Sequence, residues 1–288
     1  MKAKKLSKKI TAFIVCAVII TVLLITAGGL QIGFVAADQI SCWRPNYEML
    51  STAEMDAILD KESLTKEDYK ILYAQTGLTE IGIDRALAKG AAGKNRIKSI
   101  QKDYFDEYEV DNQLFTIFTC TDYTDKQVTG IYLEEGDILV TSSTHISGVR
   151  IGHSGLVIDG NSQSVLEANA YGSKSRVYDA GDFYKRVNFM VLRVKDGSCD
   201  AETKSKVVDY AMENLNGIPY EGLAGLLTNK NKIKKTQCAH LIWYAYKQVA
   251  GIDLDGNGGI IVTPKNIAAS KHVEVVQVFG FDPAKLWK

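Results

Sequence analysis

The stretch His153–Ala170, HSGLVIDGNSQSVLEANA, shows the clearest strand–turn–strand pattern in the sequence. HSGLVID is aliphatic and predicts a β-strand, GNSQ is typical of a turn, and SVLEANA predicts a returning strand. Side chains alternate across a strand, so His153 shares a face with Gly155, and Glu167 shares a face with Asn169. The stretch therefore predicts an antiparallel hairpin that carries three polar side chains suited to a reactive site.

Cross-strand neighbours in such a hairpin touch directly or diagonally. Either Glu167 or Asn169 is therefore a candidate to contact the imidazole of His153. The pairing register depends on the length of the turn, and the sequence leaves both residues open.

Further strands are predicted on both sides of the hairpin, in GDILVTS (136–142), FMVLRV (189–194) and VEVVQVF (273–279). Two helices are predicted between the last two of these strands. Strands that follow one another with few helices between them favour an antiparallel sheet and an α+β domain. Upstream, residues 38–128 are predicted to be mainly helical, with capping boxes that begin at Ser51 and Thr65.

The stretch TQCAHLIWYAY (236–246) predicts the first turns of an amphipathic helix with Cys238 near its start. One interpretation is a core residue, because Cys238, Leu241 and Ile242 fall on one face and free cysteines are usually buried. The other is a nucleophile, because the backbone N–H groups at a helix N-terminus favour a thiolate.

A thiolate nucleophile needs a base, usually histidine, and a third group that orients the base. His153 opens the hairpin strand and is the best candidate for the base. His240 points away around the predicted helix from Cys238. His145 lies in the polar loop TSSTHISG and is a candidate to line a cleft.

Five short motifs, in this order, resemble the NlpC-type papain-like cysteine hydrolases: GDILV, IGHSGLVID, VLEANAYG, NGIPY and TQCAHLIWYAYKQVAGIDLD. In the common arrangement of that family the cysteine helix precedes the histidine strand. Here the histidine comes first, which is similar to the circularly permuted YiiX/YebB-like branch. The resemblance covers about residues 130–270 and implies a papain-like fold with an antiparallel sheet and packed helices.

The resemblance implies that Cys238 is the nucleophile, His153 the base and Glu167 the orienting group. It also implies that Tyr220 lies close to the active site. Ala239 stands where serine usually follows the cysteine, which is a mild departure because both residues are small.

The motifs and residues together predict a cysteine hydrolase that cleaves an amide through an acyl-enzyme, with backbone N–H groups near Cys238 stabilising the oxyanion. Cell-wall peptides are the first substrate class expected, and Tyr220, Asn169 and His145 are candidate substrate contacts. One alternative is a lipid-like ester, thioester or acyl amide, with hydrolysis or acyl transfer; a long apolar groove would favour it. A second alternative is a non-catalytic, anchored binding module. No metal or organic cofactor is expected.

The N-terminus predicts export. Five lysines occur in the first nine residues, and no charged residue occurs from Ile10 to Ala37. The apolar run is long enough to span a bilayer, so we favour an uncleaved anchor, with a cleaved signal peptide and a secreted protein as the alternative. The excess of positive charge before the run places the rest of the chain outside the cytoplasm. The expected location is therefore the cell membrane, with a single span.

The 288 residues carry no net charge, which does not indicate a nucleic-acid-binding protein. Three regions are predicted: an anchor or signal (1–37), a helical extension (38–128) and a hydrolase domain (129–288). The five cysteines show no C-x-x-C spacing, so a zinc ribbon is not indicated, although two disulfides are arithmetically possible. The sequence does not indicate an oligomeric state.

Two other motifs carry weaker signals. DLDGNGG (253–259) begins like a calcium-binding loop, but Pro264 stands where the bidentate glutamate belongs, which favours an ordinary turn. NKNKIKK (229–235) is a basic loop. It is either a solvated loop or part of the cleft rim, where it would attract an anionic substrate.

Overall fold

The computed structural model describes residues 8–37, 39–113, 119–146 and 149–287. The helices are α1 (Lys8–Ala37), α2 (Thr52–Leu59), α3 (Lys66–Thr76), α4 (Glu80–Leu87), α5 (Ala91–Phe105), α6 (Gly181–Tyr184), α7 (Ala201–Asn214), α8 (Cys238–Val249) and α9 (Pro264–Ala268). The strands are β1 (Val110–Asp111), β2 (Cys120–Thr121), β3 (Tyr123–Thr124), β4 (Ile138–Thr141), β5 (Thr144–His145), β6 (His153–Asp159), β7 (Ser164–Glu167), β8 (Arg176–Asp179), β9 (Phe189–Val194) and β10 (Val273–Phe279).

The main sheet has six strands in the order β10-β9-β4-β6-β7-β8, and each neighbouring pair is antiparallel. The predicted α+β class, the antiparallel sheet and the hairpin of β6 and β7 are confirmed. The strand β8 was not predicted, because its four residues are mostly exposed and two of them are charged.

Apolar side chains cover both faces of the sheet. On one face, Leu156 and Leu166 pack with the apolar sides of α7 and α8. On the other, Val157 and Val165 pack with residues that include Phe183 of α6. This two-sided burial fixes the hairpin register, since a slip by one residue would exchange the two faces.

The helices α2 to α5 form their own apolar core and join the β10 edge of the sheet. Both predicted capping boxes are present, and Gly77 ends α3 in the left-handed conformation (φ 68°). The turn after α3 continues the sheet, because Val278 N–H donates to the Gly77 carbonyl and Thr79 N–H donates to the Val276 carbonyl. The predicted domain boundary near residue 128 stays a prediction.

Within the described residues, one helix is long and apolar enough to cross a membrane. Its apolar window is Ile10–Leu30 in α1, with a mean hydropathy of 2.8 and none of its surface buried inside the protein.

Candidate active site

The hairpin brings His153 and Glu167 into direct contact. The register pairs Leu156 with Leu166, and extending it by one pair places Gly155 opposite Glu167. Glu167 is then the diagonal neighbour of His153, and its Oε2 lies 2.5 Å from the imidazole Nε2. The carboxylate of Glu167, rather than the amide of Asn169, therefore contacts the ring.

Gly155 makes this contact possible because it leaves space between the two strands. A Cβ at position 155 would collide with Val165 Cγ1 and would lie 3.1 Å from Glu167 Cγ. The Glu167 side chain therefore lies against the space that a side chain at position 155 would occupy.

Cys238 is the first residue of α8, and Gln237 caps the helix. The Gln237 Oε1 accepts the Ala239 N–H at 2.8 Å and lies 3.2 Å from the Cys238 Sγ. The backbone N–H of Cys238 belongs to the first turn of the helix, where N–H groups have no intrahelical acceptor. The thiol therefore meets an electropositive end of the backbone.

Cys238 and His153 shift each other's pKa toward the charged forms. Burial alone would raise the pKa of the Cys238 thiol, but the charge of His153 and its hydrogen bond, with a hydrogen bond from the Ser154 backbone, lower it overall. Burial alone would lower the pKa of His153, but the thiolate and Glu167 raise it from 6.5 to about 9. Because Nε2 faces Glu167, Nδ1 is the nitrogen left for the thiol.

Glu167, which contacts the His153 imidazole, is held in its ionised form. Burial opposes ionisation, yet hydrogen bonds from His153 and Asn169 and the charges of His153 and Arg186 lower the pKa of the carboxyl. The Arg186 Nη2 lies 3.8 Å from Glu167 Oε2, and its Nη1 donates to Thr144 Oγ1. Asn169 therefore stabilises the Glu167 carboxylate through its hydrogen bond, two residues further along the chain.

The four cysteines that follow α1 are all described, and their thiols differ in acidity. Burial raises the pKa of Cys42 to about 12, with Asp125 adding to the effect. Burial also raises the pKa values of Cys120 and Cys199. Among these four, Cys238 alone has a lowered pKa, although the residue is buried, with 8% of its surface exposed. None of the four is in a disulfide.

A cavity of about 430 Å³ opens onto the Cys238 and His153 side chains. Its walls are mainly aliphatic and aromatic, and the described lining contains no lysine, arginine, aspartate or glutamate. Tyr220 and Asn169 are in the lining. Tyr220 lies there because it forms a parallel β-bridge with Thr236, which is two residues before Cys238. Its ring packs edge-on against Tyr171 at 5.1 Å between centroids.

Two of the sequence's other histidines lie away from this cavity. His145 is buried, and its Nε2 is 3.3 Å from Asp122 Oδ1. It is not in the cavity lining, so the expectation that it lines the cleft is wrong. His240 faces away from the thiol, as predicted from helix geometry, and its ring nitrogens contact Thr236 Oγ1 and the Lys230 carbonyl.

The calcium-like loop is tied by a lysine of the basic loop. The Lys230 ammonium lies 2.5 Å from Asp255 Oδ2, donates to the Gly259 carbonyl and stands over the Trp243 ring. Lys230 therefore turns inward, whereas Lys232 and Lys234 of the same loop are exposed.

Three residues that act on the site were not singled out from the sequence. Ser154 was missed because strand alternation points it away from the face of His153. Arg186 comes from a distant segment and no local pattern marks it. Gln237 could have been found, since a polar residue directly before the first helical position is a capping signal.

No protein-family model matches the chain. The chain is similar to the uncharacterized protein YycO of Bacillus subtilis (strain 168), with 31% identity over 85 residues, which is 29% of this chain and 34% of that protein. The chain thus spans about a third of the length of that curated relative.

Among solved structures, the crystal structure of the metalloprotein YiiX from Escherichia coli O157:H7 is similar with a TM-score of 0.41 and 15% identity. The match covers 51% of this chain and 97% of that one. The assignment of the chain to the permuted papain-like branch stays a prediction.

A metal ion is not supported by the donor groups in this site. Within the described ranges, no group of three His, Cys, Asp or Glu side chains is placed to hold one. The imidazole of His153 contacts the Glu167 carboxylate directly, with its other nitrogen toward the thiol.

Proposed function

We propose that the protein is a cysteine hydrolase that works through an acyl-enzyme on Cys238. The observation that carries the proposal is the arrangement of the three side chains: His153 contacts Glu167 at 2.5 Å and shares one cavity with Cys238. In this arrangement the charge of His153 lowers the pKa of the thiol although the residue is buried. A core cysteine of the same burial would have a raised pKa, as Cys199 does. A non-catalytic binding module would have no use for such a thiolate.

In the proposed reaction the Cys238 thiolate attacks the substrate carbonyl carbon and a C–S bond forms. The backbone N–H of Cys238 stabilises the oxyanion of the tetrahedral intermediate. The imidazolium of His153 gives its proton to the leaving amine, alkoxide or thiolate, and the acyl-enzyme remains. His153 then takes a proton from water, which attacks the thioester and releases the acid and the thiolate. Glu167 fixes the ring and stabilises its positive charge throughout.

The cavity favours an apolar acyl group as the part of the substrate that binds beside Cys238. Its described walls are mainly aliphatic and aromatic, and apart from the reacting His153 and Cys238 they offer no charged side chain to a free carboxylate or amine. A cell-wall peptide carries such charged groups. We therefore place a lipid-like ester, thioester or acyl amide first, and a wall peptide second, as the substrate class.

Trapping the acyl-enzyme tests both choices. The full chain would be mixed with p-nitrophenyl esters of increasing chain length and, separately, with stem peptides, and the intact mass measured. We expect an adduct with medium-chain esters that disappears in Cys238→Ala and persists in the control Cys120→Ala. Adducts or cleavage with stem peptides alone would move the wall peptide to first place. Equal activity in Cys238→Ala would overturn the mechanism.

For the location, we propose that α1 crosses the membrane once and that the sheet domain lies outside the cytoplasm. The support is the unburied apolar window of α1 and the lysine-rich residues that precede it. Protection of Lys66 and Lys206, two exposed lysines outside the basic loop, from a membrane-impermeant amine reagent in intact cells would contradict this orientation.

A further inference from the structure

The chain enters the folded domain at the same end of the sheet as the active site. Antiparallel pairing aligns His153 with Thr141, and it aligns Phe279 with Phe189 at that end. The Trp43 N–H donates to the carbonyl of Gly280, the residue directly after β10. The strands β10 and β6 are three strand spacings apart, or about 14 Å.

Little chain separates α1 from this attachment. The helix ends at Ala37, and Ile40 N–H already donates to Asn112 Oδ1 at 3.0 Å. Seven helical residues follow the apolar window, which at 1.5 Å per residue is roughly 10 Å. A membrane that holds α1 therefore lies close to the end of the sheet that carries His153.

An exposed apolar surface borders the cavity at this end, and we call it the mouth patch. It comprises Tyr171, Leu223, Leu226, Leu227 and Ile260, each of which is exposed. The residues are contiguous across three loops: the backbone at Gly222 packs against the Tyr171 ring, and the backbone at Gly225 packs against the Ile260 carbonyl. Leu223 also lines the cavity, so the patch continues its apolar wall outward.

Positive charge accompanies the mouth patch. The loop that follows Leu227 carries Lys232 and Lys234, both exposed, before the chain enters α8. Aliphatic side chains next to lysines are the composition that binds anionic lipid surfaces, since the apolar groups enter the headgroup boundary while the ammonium groups meet lipid phosphates.

We propose that the mouth patch docks on the anionic bilayer in which α1 is anchored, so that the cavity opens toward the lipid headgroups. The tether at Ile40 and Trp43, the apolar patch and the lysines all point to one surface. The docking rests on the proposed anchoring of α1 in the membrane. It is independent of the reaction at Cys238 and is tested without any substrate.

The test measures which end of the domain reaches lipid. The full chain would be placed in nanodiscs of phosphatidylcholine and phosphatidylglycerol, with a tryptophan introduced as Leu227→Trp or, at the opposite end of the sheet, as Gly197→Trp. Gly197 is exposed, and a side chain there meets open space. We expect nitroxide-labelled lipids to quench the added emission of Leu227→Trp and to leave that of Gly197→Trp unchanged, each compared with the unsubstituted chain.

The tether is the same in both variants, so a difference between them reports docking and not anchoring. Equal quenching of both tryptophans, or quenching of neither, would overturn the proposal. A blue-shifted Leu227→Trp emission without quenching by lipid would overturn it too, because a protein would then cover the patch.

The charge contribution has its own variant. Lys232→Glu combined with Lys234→Glu changes only exposed side chains and should leave the fold intact. We expect it to reduce the quenching of Leu227→Trp in the mixed lipid and to have little effect in pure phosphatidylcholine. An equal response in both lipids would contradict a role for anionic headgroups.

Discussion

A buried thiol ordinarily resists ionisation, and Cys42 shows that outcome in this chain. Cys238 departs from it because His153, Ser154 and the start of α8 surround the sulfur. From the sequence, the residue types and their order were enough to propose Cys238 and His153. The sequence could not decide whether Glu167 or Asn169 contacts His153, because the hairpin register shifts between Val157 and Asp159. Such an irregularity has no clear sequence signal.

The pH dependence of Cys238 alkylation tests the ion pair. We expect an inflection below the ordinary thiol range, since His153 lowers the thiol pKa, and a return toward ordinary thiol behaviour in His153→Ala. Iodoacetamide labelling followed by peptide mass measurement gives the rate at this cysteine alone. His272→Ala, which changes a histidine at the far end of β10, should leave the profile unchanged.

The hydrolysis rate at high pH depends on His153, whose pKa is raised from 6.5 to about 9. A raised pKa means that the imidazolium stabilises the folded protein fully below about pH 6.5, and that this stabilisation is lost as the pH rises through about 9. We therefore expect hydrolysis to fall above about pH 9, where the general acid loses its proton. A rate that keeps rising through pH 10 would contradict a role for this proton.

Glu167→Gln removes the negative charge and keeps the size of the side chain. We expect the pKa of His153 to fall and the rate of acylation to drop by about 10²–10⁴-fold, the usual range for acid–base assistance. Single-turnover release of p-nitrophenol measures it. Glu221→Gln, another glutamate near the cavity mouth, is the matched control and should retain most of the activity.

At the scale of elements, the strands with continuous aliphatic residues were predicted because burial on both faces leaves that pattern. The strand β8 was not, because it is mostly exposed and pairs on the outside of β7. The helices α2 and α3 were predicted from their capping boxes, which are local and therefore legible in sequence.

Gly155→Ala tests how closely the two arms of the hairpin approach. The added methyl group would meet Val165 Cγ1 and Glu167 Cγ, so we expect a loss of about 1–3 kcal/mol in the free energy of unfolding, as for other overpacked sites. The Glu167–His153 contact should weaken as well, which would raise the alkylation inflection of Cys238. Urea unfolding and the labelling assay measure the two effects. Gly197→Ala, in open space, should change neither.

At the scale of the whole molecule, the attachment of the helical extension to the β10 edge escaped prediction. The contacts join residues 77–79 to residues 276–278, and no local pattern reports a pairing across that separation. The mouth patch was equally hidden, since its five residues come from three separate loops. The basic loop was foreseen, but not the inward turn of Lys230.

Gly77→Ala tests whether the helices and the sheet unfold together. Gly77 has a φ of 68°, which costs an L-residue about 1–2 kcal/mol, and a Cβ there would also collide with the Val278 carbonyl. We expect one transition, shifted to lower urea, in both helical circular dichroism and tryptophan emission. Loss of the helical signal first, with Cys238 labelling unchanged, would show instead that the extension is an independent unit.

The order of the reactive residues along the chain also has a consequence for biosynthesis. His153 and Glu167 lie 14 residues apart in one hairpin, a local structure of the kind that forms early. Cys238 follows much later, on a helix that packs over the finished hairpin. A ribosome that has made only the first two thirds of the chain has therefore produced the His153–Glu167 pair without Cys238, and the proposed nucleophile reaches this pair only when the last segment of the chain is synthesised.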